Sequence, residues 1–352
     1  MKVNQFVSNF CFGDAISNNV RILKNKFFEK GISGEIYTQF PDEFSSNESR
    51  FFREYEGNSE NVLIMHGSTY SEIFDFIKTL PDKKVLIYHN ITPPDFFRGY
   101  SDFFVEHLNK GLLQVRSLSE VFDLALGVSE FNCKNLREMG FQNVQKVPLY
   151  IDFSKYSDSA FDSSLGEIFS RKGKNILFVG RMAPNKKQED IIKVFYLYRK
   201  YFDINAHLIL AGDFAGMEEY YGRILALISE LSLERFVKIT GKVSDFDLNY
   251  LYRNCDLFLS MSEHEGFFVP VIESFYFNLP VMAYRAGAVS ETMGDGGIIF
   301  DSKDFISVAE NMNKIFSDLD FRTKLLSKQK SSLSNFISSN DDFKILELVR
   351  NL

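Results

Sequence analysis

Short apolar runs recur along the chain, each followed by a polar turn and then by residues with helical spacing. In the first half, VLIMH (Val62 to His66), KVLIYH (Lys84 to His89) and DLALGVS (Asp123 to Ser129) read as buried strands. Helical patterns such as SEIFDFIKTL and FNCKNLREMG lie between and after them. The second half repeats the plan more clearly, with NILFVG, HLILAG, VKITG, LFLSM, VMAY and GIIF as strands. Continuous apolar runs, rather than alternating ones, mark strands covered on both faces. Alternation with helices therefore predicts parallel sheets flanked by helices, an α/β chain.

The two runs of units meet in SKYSDSAFDSSLGEIFSRKGK, which is polar, Ser-rich and weakly periodic, so a linker is expected near Asp158 to Lys174. This gives two Rossmann-like domains facing a central cleft. The first covers 1–165 and the second 166–335, and a tail over 336–352 is placed to cross back to the first domain. A length of 352 residues is enough for two ordinary domains. Hydrophobic residues at 45% and charged residues at 25% fit a soluble globular protein. No apolar run has transmembrane length, and no secretory signal is read at Met1. Cys11, Cys133 and Cys255 are odd in number, far apart and form no C-x-x-C, which speaks against a disulfide framework or zinc site and fits a reducing, cytoplasmic compartment. The net charge of −7 argues against a general nucleic-acid binder.

Candidate chemistry concentrates at strand ends. In SEHEGFFVPVIESFYFNLPV, Glu265 lies in the turn after the run Leu257 to Met261, and Glu273 falls one to two turns into the next helix. Carboxylates there can each accept from two neighbouring hydroxyls, as a sugar ligand requires. Read alone, the same residues also fit a solvated loop acid and a helix-surface charge. In NILFVGRMAPNKKQEDII, Gly180 ends a strand, and Arg181 and Lys186 lie in the turn before a helix, a site suited to a diphosphate. Gly13, in NFCFGDAISNNVRIL, permits close backbone approach at a helix start. His89, in YHNITPP, follows a buried strand and can bond a substrate hydroxyl or phosphate; His66, in MHGST, ends the preceding strand in the same way. His107 and His207 look like ordinary surface or helix positions. Asp245-Phe246-Asp247 has D-x-D spacing, but an acidic first turn of a helix is the simpler reading, and Asp318-Leu319-Asp320 is weaker still.

Taken together, Gly180-Arg181, Lys186, and Glu265 and Glu273 with Gly266-Phe267 between them resemble the retaining glycosyltransferases of family 4, which have the GT-B fold. YHNITPPDFF and GDAISNNV look like first-domain signatures of the bacterial polysaccharide members, the mannosyltransferase-like type. The resemblance implies that Arg181 and Lys186 grip the donor diphosphate and that Glu273 holds the nucleotide ribose. It implies that Glu265 contacts the transferred sugar, aided by backbone N–H groups near Phe267 and Phe268. His89 would lie near the reacting sugar, and Gly13 would line the cleft below the phosphates. The first domain would serve the acceptor and the second the nucleotide sugar. The chain departs from the family pattern at Phe268 and at Lys187, where glycine is usual or frequent.

The implied activity is retaining transfer of a hexose from a nucleotide-diphosphate sugar, GDP-mannose favoured, to a saccharide or lipid-linked acceptor in lipopolysaccharide-type surface polysaccharide synthesis. No metal and no cofactor are expected. A UDP-hexose-dependent transferase, a GT-B sugar-nucleotide epimerase and a non-catalytic sugar-nucleotide-binding subunit remain as other readings. Arg21, Lys24, Lys26 and Lys30 beside Phe27 and Phe28 suggest peripheral contact with the inner face of a membrane; a solvated helix face fits the same residues.

Overall fold

A computed structural model describes residues 1–11, 13–41, 43, 46–156, 166, 172–341 and 343–352. Most of the stretch read as the linker, Asp158 to Lys174, lies outside the described residues. The chain divides into two compact units. The first comprises Met1–Asp95, Phe103–Asp152 and Ser338–Leu352; the second comprises Phe96–Asp102 and Phe153–Ile337.

In the first unit the strands are β1 (Val3–Phe10), β2 (Ile36–Pro41), β3 (Ser49–Phe51), β4 (Val62–Gly67), β5 (Lys83–Tyr88), β6 (Leu124–Gly127) and β7 (Val144–Lys146). All neighbours pair in parallel, in the order β3-β2-β1-β4-β5-β6-β7. The helices of this part are α1 (Ala15–Glu29), α2 (Glu72–Ile77), α3 (Asp102–Ser117) and α4 (Glu130–Glu138). Side-chain oxygens cap their first turns. Asp14 accepts from Ser17 N at 2.8 Å on α1, and Ser129 accepts from Asn132 N at 3.2 Å on α4. Val7, Phe10, Val20 and Ile36 form one buried cluster that seats α1 on β1 and β2.

The second unit holds β8 (Asn175–Val179), β9 (His207–Ala211), β10 (Val237–Gly241), β11 (Leu257–Ser260), β12 (Val281–Tyr284) and β13 (Ile298–Phe300). They form a parallel sheet in the order β10-β9-β8-β11-β12-β13. Its helices are α5 (Gln188–Tyr201), α6 (Glu218–Glu230), α7 (Asp245–Asn254), α8 (Val269–Tyr276), α9 (Val289–Met293), α10 (Phe305–Ser317) and α11 (Leu319–Asp341). The final helix, α12 (Lys344–Arg350), packs in the first unit, where Phe343 meets Phe27 with ring centroids 4.9 Å apart.

In each sheet the chain reverses its direction of travel once, between β1 and β4 in the first unit and between β8 and β11 in the second. Loops diverge at such a point and leave a crevice at the strands' C-terminal ends. Gly13 follows β1, His66 lies in β4, and His89 follows β5. Arg181 and Lys186 follow β8, and Glu265 follows β11. His207 is buried at the start of β9, not at the surface, with 6% exposure. On α1, Phe27 is a core residue, Arg21 pairs with Glu48 at 2.7 Å, and Lys24 pairs with Glu35 at 3.2 Å. Phe27 and part of the charge invoked for membrane contact are thus engaged within the unit, whereas Phe28 is exposed.

The positions at which the chain departs from glycine, Lys187 and Phe268, both adopt left-handed backbone, with φ of 54° and 86°. Each immediately precedes a helix, α5 and α8. This conformation costs a residue with a Cβ about 1–2 kcal/mol. At Phe268 the ring is buried against Phe258, and losing such a ring costs about 3–5 kcal/mol, so packing outweighs strain. At Lys187 the ammonium makes only 3.5 Å contacts with Glu189 and Glu263, of the kind worth about 0–1 kcal/mol. Phe268→Gly should therefore destabilise by roughly 1–4 kcal/mol, while Lys187→Gly should be neutral to about 2 kcal/mol more stable than the parent. Chemical denaturation of the two variants checks the difference, and equal losses would contradict it.

Candidate active site

The second unit's site is built on backbone close approach. A Cβ on Gly212 would stand 2.0 Å from the Gly180 carbonyl oxygen, so glycine is required where β8 and β9 end side by side. Gly180 N donates to Ala211 O at 2.9 Å. Arg181 then leaves the sheet and donates from Nη2 to Ala215 O at 2.6 Å. A 3-10 turn over Pro184–Lys186 carries Lys186 toward the loop after β11. Its Nζ lies 2.9 and 2.8 Å from the two carboxylate oxygens of Glu265, which is 5% exposed.

That loop is held from two sides. Glu263 N donates to Asn185 O at 2.8 Å, and Ala288 N donates to Glu265 O at 2.9 Å. Thr292 Oγ1 donates to Phe267 O. Gly287 has φ of 51°, and a Cβ there would fall 2.2 Å from Glu265 O. Phe267 and Phe268 are buried, and no hydrogen bond ties their amide N–H groups to another described residue.

Glu273 sits on α8 with 4% exposure. Tyr156 and Tyr252 donate their hydroxyls to Oε1 and Oε2, each at 2.7 Å, and Lys155 Nζ lies 3.9 Å away. Burial and the adjacent Glu273 hold the Tyr252 hydroxyl far above its usual pKa, so it stays a donor. Two acceptor positions of the carboxylate are used and two remain. Neither acid is the solvated loop or surface charge that its sequence also allowed. The structure brings Lys186 and Glu265 into direct contact, and it adds Tyr156, Tyr252, Asn185 and Gly287, which the sequence reading missed. A Gly between a strand and a helix in VMAYRAGAVSETM was the only signal for Gly287. The tyrosines gave none.

In the first unit, His66 Nδ1 and His89 Nε2 are 2.9 Å apart, and His66 Nε2 is 3.0 Å from Gln5 Oε1. Burial pushes His89 down to about 3 and His66 well below the usual imidazole range, so both rings are neutral at pH 7. Gly13 adopts φ of 73° in the turn before α1, conformational freedom that the turn uses.

Asp245 and Asp247 occupy the first turn of α7, where Ser244 Oγ donates to Asp247 Oδ2 at 2.8 Å and accepts from Asp247 N at 3.1 Å. Asp318 similarly accepts from Phe321 N at 2.9 Å at the start of α11. Among the described residues no three His, Cys, Asp or Glu side chains gather as a metal-binding group. Among them, too, no helix is long and apolar enough to cross a membrane.

Residues 166–331 match the family described as Glycosyl transferases group 1. The match covers just under half of the chain and includes Arg181, Lys186, Glu265 and Glu273. Among curated relatives, O-antigen chain mannosyltransferase B of Escherichia coli is 27% identical over 42% of this chain and 38% of its own length. The chain thus spans about two fifths of that relative. The Campylobacter jejuni enzyme named GalNAc-alpha-(1->4)-GalNAc-alpha-(1->3)-diNAcBac-PP-undecaprenol alpha-1,4-N-acetyl-D-galactosaminyltransferase is 26% identical over 69% of this chain and 66% of its own. Among solved structures, sucrose-phosphate synthase from Thermosynechococcus elongatus superposes with a TM-score of 0.78 at 15% identity, over 100% of this chain and 99% of that one. The architecture is the GT-B fold.

Two outcomes follow from the site's electrostatics. Lys186→Ala leaves the buried Glu265 carboxylate without its cation, which should cost about 3 kcal/mol of stability. The double variant Lys186→Ala, Glu265→Gln should recover much of that loss, because the stranded charge is gone. Denaturation of the single and double variants measures it, and strict additivity would contradict the coupling. The second outcome concerns acid. His264 is pushed down to about 4, by burial and then by Lys186. A lowered imidazole takes up a proton on unfolding, so its stabilisation is full above about pH 6.5 and is lost as pH falls toward 4. The unfolding midpoint should fall over this window, with a shallower slope in His264→Asn. Parallel pH profiles for the two proteins would contradict this.

Proposed function

We propose that the chain is a retaining glycosyltransferase that moves a hexose from a nucleotide-diphosphate sugar to a saccharide or lipid-linked acceptor in surface polysaccharide synthesis. The observation that carries the reading is the pair at the β8–β11 crevice, Lys186 on the buried carboxylate of Glu265, with Arg181 in the same turn after β8 and a second buried carboxylate, Glu273, on the helix that follows β11. Buried acids held by donors, with acceptor capacity to spare, suit the binding of vicinal hydroxyls. Cations at a strand end suit the leaving diphosphate, whose charge grows in the transition state. The family match over 166–331 and relatives named as mannosyl- and N-acetylgalactosaminyltransferases support the same class. A mannosyl donor, GDP-mannose, is favoured by the mannosyltransferase likeness.

In this reading Arg181 and Lys186 neutralise the diphosphate, and Lys186 passes part of its contact from Glu265 to phosphate when the donor enters. Glu265 then has free lone pairs for sugar hydroxyls, helped by the amides of Phe267 and Phe268. Glu273 uses its two remaining acceptor positions for the ribose. Its tyrosine partners fix the carboxylate's orientation in advance, so little ordering is lost on binding. His89 acts on the transferred sugar. The positive charge is supplied by side chains, so activity should persist in excess EDTA.

Calorimetry with nucleoside diphosphates tests the assignment. Glu273→Gln preserves volume, loses charge and halves acceptor capacity, so it should weaken GDP binding about ten- to a hundredfold, as expected for a charged hydrogen bond. Glu265→Gln should leave GDP affinity within about threefold and slow sugar transfer instead. Unchanged GDP affinity in Glu273→Gln would contradict the ribose role. Complete loss of transfer in EDTA, restored by manganese, would contradict the charge assignment.

A further inference from the structure

A cation stands beside Glu273 without bonding to it. Lys155 belongs to the 3-10 turn Phe153–Tyr156, which is part of the second unit. Its Nζ lies 3.9 Å from Glu273 Oε1. That distance allows Coulomb attraction but exceeds a hydrogen bond. Oε1 instead takes the hydroxyl of Tyr156 at 2.7 Å, and Oε2 takes that of Tyr252 at 2.7 Å. The ammonium's N–H donors are therefore not spent on the carboxylate, and the carboxylate keeps acceptor positions of its own.

The lysine is placed by its surroundings. Two residues one turn apart on the same face of α7 pin the backbone. Asn249 Nδ2 donates to Lys155 O at 3.0 Å, and Arg253 Nη2 donates to Tyr156 O at 3.0 Å. Phe153 stacks on Tyr276 of α8 with ring centroids 5.3 Å apart. Nζ lies 4.9 Å from the centre of the Tyr156 ring, a cation–π contact that directs the side chain along the tyrosine toward Glu273. Tyr156 and Tyr252 are buried, whereas the Lys155 side chain keeps 25% of its surface exposed. Lys155 is thus the open flank of an otherwise enclosed carboxylate.

A hydroxyl suits this pair. An oxygen about 2.8 Å from both atoms closes a triangle on the 3.9 Å base with an angle of about 90°. It donates its proton to the carboxylate and accepts from the ammonium, so all three groups are satisfied. A phosphate would take only the ammonium and face the charge of the carboxylate. An amine would take only the carboxylate and face the charge of the lysine.

We propose that Lys155 is a nucleotide-binding residue that shares one ribose hydroxyl with Glu273, and that the pair selects ribonucleotides over deoxyribonucleotides. The inference rests on the ribose role given to Glu273 and goes beyond it in naming a second residue and a specificity. A site built to bond a hydroxyl rejects the analogue that lacks it, because its own polar groups are then left without partners.

Calorimetry with the full chain tests this. The probes are whichever of GDP and UDP binds the parent more tightly, and the 2′-deoxy and 3′-deoxy forms of that nucleotide. One deoxy form should bind the parent about tenfold or more weakly than the ribonucleotide. Lys155→Met keeps much of the stem and removes the ammonium. It should weaken the ribonucleotide about tenfold, and that same deoxy form by less than about threefold. Equal losses for all three nucleotides would mean that the ammonium only attracts the diphosphate, and would overturn the proposal. Full ribonucleotide affinity in the variant would overturn it too. So would a parent that binds both deoxy forms as tightly as the ribonucleotide, a result that does not depend on how the variant folds. Failure of both GDP and UDP to bind the parent would overturn the proposal together with the nucleotide-sugar reading. Binding without coupling to Lys155 would overturn the proposal and leave that reading standing.

Discussion

The ion pair between Lys186 and Glu265 organises the second unit's site. It joins the turn after β8 to the loop after β11, the two segments that diverge at the reversal of strand order. A carboxylate with 5% exposure is costly to hold without a cation. The pair therefore fixes both segments at once, and the backbone bonds through Asn185 and Ala288 reinforce the same geometry. The consequence for function is that two groups expected to act at different parts of a ligand share a bond in the free protein. That bond makes Lys186 and Glu265 one electrostatic element and not two independent contacts.

Glu273 shows the same economy of partners. Its carboxylate ties α8 to Tyr252 on α7 and to Tyr156 in the segment Phe153–Ile337 of the same unit. Aromatic contacts of Tyr156 with Tyr276 and of Tyr252 with Phe277 pack around the charge and keep water from its flanks. A group so placed ties elements of the fold together, and the same bonds fix the carboxylate's orientation. The neutral His66–His89 pair in the first unit extends the pattern in part: three of its four ring nitrogens are hydrogen-bonded, and His89 Nδ1 has no partner among the described residues.

Much of this was legible in the sequence. Strands β4 to β6 and β8 to β13 announced themselves as apolar runs, and Gly180, Arg181, Lys186, Glu265 and Glu273 lie at strand ends and on the following helix, as the pattern of runs and turns implied. The edge and near-edge strands β2, β3 and β7 were missed. SRF and VQK are too short for any periodicity to register, and IYTQFP has no sustained apolar run. The pairings were beyond reach for a different reason. Tyr156 and Glu273 are separated by 117 positions, and Gln5 and His66 by 61, and no local rule couples residues so distant. The substitutions at Lys187 and Phe268 looked like simple departures from a glycine pattern. The backbone shows that the left-handed conformation persists at both, and at Phe268 the packing of the ring offsets its cost.

The central claim is that the charged crevice of the second unit holds a nucleotide sugar for transfer with retention. Its most direct test is incubation of the chain with GDP-mannose and a saccharide or lipid-linked acceptor, followed by proton NMR of the product's anomeric signal. The account predicts a new glycosidic linkage with the anomeric configuration of the donor. An inverted linkage, or isomerisation of the donor with no transfer, would contradict it.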